Sequence, residues 1–334
     1  MIFRIVEDRL SEAYACAGDD VLLRAALRAG LPFPYECNVG GCGSCKFDLL
    51  EGEVADQWPD APALSERDRQ RGRRLGCQAR PLGDCRIRVI GRGAREDVAV
   101  PQRMAAILTE MSDITHDMRQ FSFHADGPAH FRPGQYALLS LPQVMGQRAY
   151  SMSNLDNCQG TWEFIVRRVP NGRMTSALFD LRTGDGVDLD GPYGHAWLRL
   201  EAGRHVVCVA GGSGLSPMLS IARGLDRDED GAERQLDFVY GGRSADDICG
   251  EPLLRALPRL GSRLRFHPIV SGGDARWPGA TGLVHELVAS LPAETFAAAD
   301  FYLAGPPAMA EAVLGVLTKA KAVPAARIRY DRFF

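Results

Sequence analysis

The chain of 334 residues is longer than one hydrophobic core normally supports, and its length predicts two or three domains. Hydrophobic residues make up 46% and charged residues 24%, a composition that excludes a disordered or collagen-like chain. With 39 basic and 42 acidic residues the formal net charge is -3, so nucleic acid is not expected as a partner. No membrane-spanning segment is expected, because the longest stretch free of Asp, Glu, Lys and Arg, residues 205–222, contains three glycines and a proline.

Changes in sequence pattern predict three domains. The first covers residues 1–92, where short alternating strands surround one amphipathic helix near Val21–Ala29. Asp19 or Asp20 is the expected cap of that helix. Residues 91–101 are rich in glycine and charge without periodicity, which predicts a linker.

The remaining chain predicts two domains of different character. Residues 102–200 hold short strands separated by Pro-Gly, Asn-Gly and Gly-Pro turns, which predicts an antiparallel β-barrel. In residues 203–334 apolar strands alternate with helical stretches, the pattern of a parallel α/β nucleotide-binding domain. Its strands are predicted at His205–Val209, Gln235–Tyr240, Leu264–Val270 and Asp300–Leu303. The fold class is therefore multidomain, with α+β and α/β parts.

The N-terminal sequence and the number of cysteines both indicate the cellular compartment of the protein. The N-terminal sequence lacks a basic start followed by an apolar run and a cleavage site, so no export signal and a cytoplasmic location are expected. Nine cysteines are an odd number, and in a reducing compartment they are expected to be thiols or metal ligands rather than disulfides.

Four cysteines have the spacing of an iron–sulfur site. The predicted metal ligands are Cys37, Cys42, Cys45 and Cys77. The first three form C-x4-C-x2-C and the fourth stands alone further along the chain, the plant-type ferredoxin arrangement for a 2Fe-2S cluster. Gly40, Gly41 and Gly43 are expected to allow positive φ and to bring N–H groups close to sulfur. Buried thiols or a zinc site are the alternatives, although zinc sites normally pair two C-x2-C units.

A flavin site is predicted in the second domain, in two segments. Arg148, Tyr150 and Ser151 belong to R-A-Y-S, and a glycine-led turn follows about twenty residues later. The turn residues singled out are Gly172, Met174 and Thr175. Together the segments resemble the flavin site of the ferredoxin reductase superfamily. Tyr150 offers a flat face to the flavin, Arg148 a charge to phosphate and Ser151 a hydroxyl near the reactive edge, while the turn would hold the pyrophosphate. A barrel tyrosine beside a surface arginine is the alternative.

A nicotinamide site is predicted in the third domain, again from two segments. The residues singled out are Gly211, Gly212, Ser213, Gly214, Gly305 and Pro306. The first four lie between an apolar strand and a helix, where glycines permit backbone approach and the helix start attracts phosphate. A purely structural turn is the alternative. The second segment resembles the C-G-P-P element of the same superfamily, with Ala304 in place of the cysteine, which puts a thiol contribution to hydride transfer in doubt.

Two further features concern the nucleotide. Arg243 follows the second strand of this domain and is a candidate contact to the nucleotide, but Asp246 and Asp247 beside it disfavour a 2′-phosphate, so NADH is expected rather than NADPH. The chain terminates in Phe333 and Phe334. One of these rings either anchors the tail or covers the flavin until nicotinamide displaces it, as a C-terminal aromatic does in the superfamily.

The order of the motifs covers nearly the whole chain and resembles the reductase components of bacterial multicomponent aromatic oxygenases. Toluene monooxygenase reductases are the most similar subgroup, through FPYECNVGGCGSCKFDLLEGEV, VPNGR, LDGPYG and the final YDRFF. The resemblance implies a β-grasp ferredoxin domain, bound FAD and 2Fe-2S, oxidation of NADH, and catalytic roles for Tyr150, Ser151 and Phe333. It also implies electron delivery to a Rieske-type ferredoxin or a diiron hydroxylase.

Other functions remain open at this point. A reductase of a Rieske ring-hydroxylating dioxygenase would share the chemistry and differ in its acceptor. A non-enzymatic redox carrier or sensor would bind nucleotide without turning it over. Residues 1–92 hold 14 acidic and 14 basic side chains, so we expect weak, transient docking of the acceptor, and a monomer.

Overall fold

The computed structural model describes residues 1–93, 97–200, 204–229 and 234–333. Three of the predicted features lie partly or wholly outside the described residues. They are part of the linker, Gly203 at the start of the third domain, and the terminal Phe334. Three large sheets follow one another along the chain. Within the described ranges, no helix is both long enough and apolar enough to cross a membrane.

The first domain is a mixed five-stranded sheet covered by a helix. Its elements are β1 (Ile2–Glu7), β2 (Glu12–Ala17), α1 (Leu22–Arg28), β3 (Lys46–Glu51), β4 (Val54–Asp56), α2 (Glu66–Gln70), β5 (Arg73–Leu75), β6 (Ala79–Pro81) and β7 (Cys85–Val89). The strand order is β2-β1-β7-β3-β5, and β1 runs parallel to β7. Along β7 buried Ile87 alternates with exposed Arg86 and Arg88, so one sheet face packs against α1. This is the expected β-grasp arrangement.

The predicted cap of α1 is wrong. Val21 occupies the N-cap position and makes no side-chain capping bond. Asp20 accepts a hydrogen bond from the Val21 N–H at 2.7 Å and one from Arg28 Nη1 at 2.6 Å. Asp19 pairs with Arg103 Nη1 at 3.3 Å. Both carboxylates therefore engage arginines, which offer stronger, charge-assisted partners than a helix N–H group.

The second domain is an antiparallel six-stranded barrel. Its elements are β8 (Gln102–Asp113), β9 (Met118–Ala125), β10 (Tyr136–Ser140), β11 (Arg148–Ser151), β12 (Thr161–Arg167), α3 (Arg173–Phe179) and β13 (Gly186–Tyr193). The strand order is β11-β10-β13-β8-β9-β12, and a bridge between Met152 and Phe164 nearly closes the barrel. Phe121, Phe123 and Trp162 fill its interior. The predicted barrel is confirmed.

The third domain is a parallel six-stranded sheet with helices. Its elements are β14 (His205–Gly211), α4 (Leu215–Arg227), β15 (Leu236–Gly242), α5 (Glu251–Arg255), β16 (Leu264–Val270), β17 (Ala280–Thr281), α6 (Val284–Ala289), α7 (Ala293–Ala298), β18 (Ala299–Gly305), α8 (Pro307–Gly315) and β19 (Ile328–Arg332). The order is β17-β16-β15-β14-β18-β19. Because β14 lies between β15 and β18, the chain direction across the sheet switches there. In sheets of this kind the ligand crevice lies at the carboxyl ends of the strands at the switch, here β14 and β18.

A charged pair joins the first domain to the barrel. Arg28 at the end of α1 donates through Nη2 to both carboxylate oxygens of Asp190 on β13, at 2.6 and 2.7 Å. Tyr193 donates its hydroxyl to the same carboxylate at 2.8 Å. Asp190 is 1% exposed, so its charge depends on these partners rather than on water.

Replacing Asp190 with alanine would leave the Arg28 guanidinium half-buried without this partner. We expect the free energy of unfolding to fall by about 3 kcal/mol, measured by denaturant titration with tryptophan fluorescence. Asp156→Ala is the matched control, because its pair with Arg227 at 2.6 Å lies on the surface and should be worth less than about 1 kcal/mol. Equal losses in the two variants would contradict a buried interdomain pair.

Candidate functional site

The loop between α1 and β3, which we call the cluster loop (residues 37–45), carries three of the four predicted ligand cysteines. The backbone φ is positive at Asn38, Gly40 and Gly43, at 56°, 91° and 80°, whereas the positive φ predicted at Gly41 is wrong. This folding turns two backbone N–H groups, those of Gly41 and Cys42, toward the Cys37 sulfur at 3.3 Å each. Such N–H···S bonds stabilise an anionic cluster.

The four thiols form two pairs. Hydrogen bonds join Cys37 to Cys42 and Cys45 to Cys77, which follows β5. The bond from Cys37 lowers the pKa of Cys42 to about 5, and the bond from Cys45 lowers the pKa of Cys77. No three of these sulfurs lie within 4.8 Å of one another. Four sulfurs on one zinc, each about 2.3 Å from the ion, would be ~3.8 Å apart, so the thiols fit two iron ions better than one zinc.

Residues of the other two domains hold the start of the cluster loop. Arg332 on β19 donates through Nε and Nη2 to the two carboxylate oxygens of Glu36, at 3.1 and 3.0 Å. The Glu36 carbonyl accepts from the Tyr136 hydroxyl at 2.6 Å, and the Tyr35 hydroxyl accepts from the Gly194 N–H at 3.0 Å. The residue before the first cysteine thus contacts the barrel and the nucleotide domain together. Sequence reasoning missed these contacts, for which the sequence offers no local signal.

The R-A-Y-S segment forms β11. Tyr150 is half-buried against the barrel core, and burial raises the pKa of its phenol, so the ring is neutral. Ser151 is buried, and its carbonyl accepts from the Ser216 hydroxyl of α4 at 2.7 Å. Arg148, at the start of the strand, is exposed. β11 therefore presents the Tyr150 ring and the Arg148 charge, while the hydrogen bond from α4 holds the strand at Ser151.

The glycine-led turn precedes α3. A Cβ atom at Gly172 would lie 2.6 Å from Thr175 Oγ1, so only glycine fits there. The Thr175 hydroxyl donates to the Gly172 carbonyl at 3.2 Å and accepts from the Val169 N–H at 3.1 Å. Met174 is buried. The threonine hydroxyl predicted to hold pyrophosphate thus already bonds two backbone groups of its own turn.

A cavity of about 1050 Å³, the interdomain cavity, separates the first domain from the barrel. Arg148 and Arg173 line it from the barrel, and Asn38 and Trp58 line it from the first domain. These two guanidinium groups, among five that line the cavity, suit a pyrophosphate. Sequence reasoning missed Arg173, although its place directly after Gly172 was a usable signal.

The two predicted nicotinamide segments are neighbours in space, because β14 and β18 pair in parallel and each segment follows one of these strands. A Cβ atom at Gly214 would lie 2.1 Å from the Ala304 carbonyl, and one at Gly305 would lie 2.6 Å from Met309 Cε. Gly214 is therefore needed for the close approach of the two turns, while Gly305 has a φ of 155°, a backbone conformation that favours glycine. The structure brings Gly211, Gly212, Ser213, Gly214, Gly305 and Pro306 together at the crevice.

The C-terminal strand ends beside this crevice. Phe333 donates its N–H to the Gly305 carbonyl at 3.0 Å, directly after β19, and its half-buried ring packs against the core of the third domain. Phe334, also predicted to contact a cofactor, lies outside the described residues.

Arg243 lies at the end of β15 among carboxylates. Its guanidinium is 3.8 Å from Asp117 and 3.9 Å from Asp247, and its side chain is 72% exposed. Asp246 pairs with Arg276 at 2.8 Å. Asp246 and Asp247, the acidic residues expected near the nucleotide ribose, thus each lie close to an arginine.

Three family models match successive parts of the chain. They describe a 2Fe-2S iron-sulfur cluster binding domain at residues 5–82, an oxidoreductase FAD-binding domain at 105–210 and an oxidoreductase NAD-binding domain at 208–314. The order agrees with the three sheets and with the predicted cofactors.

Similar proteins span the full length. A ferredoxin–NAD(P)(+) reductase of Metapseudomonas resinovorans is 40% identical over 96% of both chains. The ferredoxin–NAD(+) reductase component of an alkene monooxygenase system of Xanthobacter autotrophicus is 40% identical over 96% of this chain and 98% of its own. The xylene/toluene monooxygenase electron transfer component of Pseudomonas putida is 32% identical over 87% and 82%.

A solved ferredoxin reductase in carbazole 1,9a-dioxygenase superimposes with a TM-score of 0.92, at 36% identity over 100% of this chain and 99% of its own. Phenol monooxygenase reductase components are also among the relatives. The chain therefore belongs to the family of ferredoxin–NAD(P)(+) reductase components of monooxygenase and dioxygenase systems, built from 2Fe-2S, FAD-binding and NAD-binding domains in that order.

Proposed function

We propose that this protein oxidises NADH and delivers single electrons to a Rieske-type ferredoxin or a diiron hydroxylase of an aromatic monooxygenase of the toluene or phenol type. One observation carries the proposal: Arg332 of the nucleotide domain binds Glu36, next to the first cluster cysteine, while Phe333 binds the nicotinamide turn. Bound FAD would accept hydride from NADH and release electrons one at a time, which an iron cluster requires.

The side chains have separate tasks in this proposal. Tyr150 stacks against the flavin ring, and Arg148 and Arg173 neutralise its pyrophosphate. Ser151 places its hydroxyl near the reactive edge of the flavin. Phe333 would cover the flavin ring until nicotinamide takes its place, which requires its ring to leave its packing against the third-domain core. Gly211, Gly212, Ser213, Gly214 and Gly305 would supply backbone N–H groups to the dinucleotide, whereas Pro306, which has no N–H, would fix the shape of its turn.

The acceptor would dock where the cluster lies nearest the surface. Cys42 is half-buried, whereas Cys37, Cys45 and Cys77 are at most 9% exposed. The first domain carries no net charge, which supports weak, transient docking of the acceptor. We propose that the reductase itself is a monomer. We place the protein in the cytoplasm, a reducing compartment in which cysteines remain available as cluster ligands.

A second candidate acceptor belongs to a Rieske ring-hydroxylating dioxygenase. The likeness to the reductase in carbazole 1,9a-dioxygenase supports it. Reconstitution of the purified protein with each type of oxygenase separates the two candidates, because only the cognate acceptor should couple NADH oxidation to hydroxylation. The redox carrier without turnover loses its basis, since the relatives are reductases.

Cys42→Ser should remove a cluster ligand without touching the flavin or nicotinamide sites. We expect cluster-dependent reduction of a one-electron acceptor such as cytochrome c to disappear, while NADH still bleaches the flavin absorbance. Cys158→Ser is the control, because Cys158 is exposed and does not belong to the four-cysteine ligand motif. Undiminished acceptor reduction by Cys42→Ser would contradict the ligand assignment.

Tyr150→Ala should weaken flavin binding, because it removes a ring face worth ~1–3 kcal/mol in stacking. We expect the purified variant to contain less FAD than the parent, whereas Tyr150→Phe should retain it. Flavin content is read from absorbance after denaturation. Full occupancy in the alanine variant would argue against stacking on this ring.

Asp246→Asn should improve the use of NADPH, because it removes a negative charge and releases Arg276 for a 2′-phosphate. We expect kcat/KM for NADPH to rise by about fivefold, equivalent to ~1 kcal/mol, with little change for NADH. Glu229→Gln, which breaks an exposed pair with Arg259 at 3.1 Å in the same domain, is the control. A parental NADPH rate in Asp246→Asn would contradict the proposed position of the ribose.

A further inference from the structure

Residues of both domains line the interdomain cavity, and arginines lie on each side of it. Arg148 and Arg173 on the barrel side suit a pyrophosphate, as argued above. The opposite wall belongs to the first domain and includes Trp58 and Asn38. The ferredoxin domain therefore lines the same space in which the flavin nucleotide is proposed to bind.

Trp58 presents an aromatic surface to this space. Its side chain follows β4 and is 45% exposed, which is unusual for a large apolar ring in a folded domain. The other side of the indole rests on the cluster loop, since a Cβ atom at Gly40 would lie 3.0 Å from Trp58 Cε3. A ring supported from behind and open in front is suited to stack on another flat ring.

Asn38 presents an amide that has no partner. The residue is 1% exposed, yet neither its Nδ2 nor its Oδ1 makes a hydrogen bond. A buried amide without partners costs free energy, and native structures normally satisfy such groups with protein, water or ligand. Its backbone lies in the left-handed region at φ 56°, so the loop fixes the direction in which this side chain leaves the backbone.

We propose that the ferredoxin domain forms part of the FAD site, with Trp58 stacking on the adenine ring and the Asn38 amide bonding the adenosine half. The pyrophosphate would lie at Arg148 and Arg173, and the adenosine half would extend from it toward the first domain. The inference rests on the proposed function, because it assumes that FAD binds the barrel. FMN lacks the adenosine half and would make none of these contacts.

The test compares FAD with FMN on the flavin-depleted full-length protein. Dissociation constants are measured by flavin fluorescence for the parent, Trp58→Ala, Trp58→Phe and Asn38→Gly. Glycine keeps the positive φ at position 38 while removing the amide, and Ser11→Gly is the matched control at φ 53° in the same domain. Iron content and cluster absorbance establish that each variant retains its first domain.

We expect Trp58→Ala and Asn38→Gly to raise the Kd for FAD by about tenfold and about fivefold, and to leave the Kd for FMN unchanged. Trp58→Phe and Ser11→Gly should bind FAD like the parent. If both variants bind FAD within about twofold of the parent, or lose FMN equally, the inference is wrong while the proposed function stands. If the parent itself binds no FAD, the proposed function fails and this inference fails with it.

Discussion

The bidentate pair between Glu36 and Arg332 is the interaction on which the rest of this structure depends. Electrons pass between a flavin and an iron cluster only when the two lie close, so the cluster loop must be fixed against both other domains. Glu36 meets this requirement through its carboxylate, held by Arg332, and through its carbonyl, held by Tyr136. Burial raises the pKa of Glu36 and Arg332 opposes that rise, so the arginine keeps the carboxylate charged.

The nucleotide domain extends the same constraint to the hydride donor. Arg332 and Phe333 are successive residues, and the second of them bonds the Gly305 carbonyl. One short tail therefore connects the cluster loop with the nicotinamide turn. Ala304, where the superfamily element has cysteine, is fully buried with its carbonyl close to Gly214, so this position shapes the turn and supplies no thiol. In our proposal, hydride transfer in this chain therefore depends on how the turns orient the nucleotide.

Much of the fold was predictable, because local patterns in the sequence determine it. The strand predicted at Leu264–Val270 occurs with those bounds, and the barrel and parallel sheet follow from turn residues and apolar runs. The cysteine spacing pointed to the cluster for the same reason. The pairs of Glu36 with Arg332 and Arg28 with Asp190 were not predictable, since they join residues 296 and 162 positions apart. The cap expected from Asp20 failed because an arginine competed for that carboxylate.

The most direct test of the relay is an anaerobic titration of the purified protein with NADH, followed by visible absorbance and electron paramagnetic resonance. Our account predicts that NADH bleaches bound flavin and produces the signal of a reduced 2Fe-2S cluster without any added partner. In the Arg332→Met variant, NADH should bleach the flavin as it does in the parent, but the cluster should be reduced more slowly. A parent protein that contains iron and flavin but whose cluster stays oxidised under excess NADH would contradict the account.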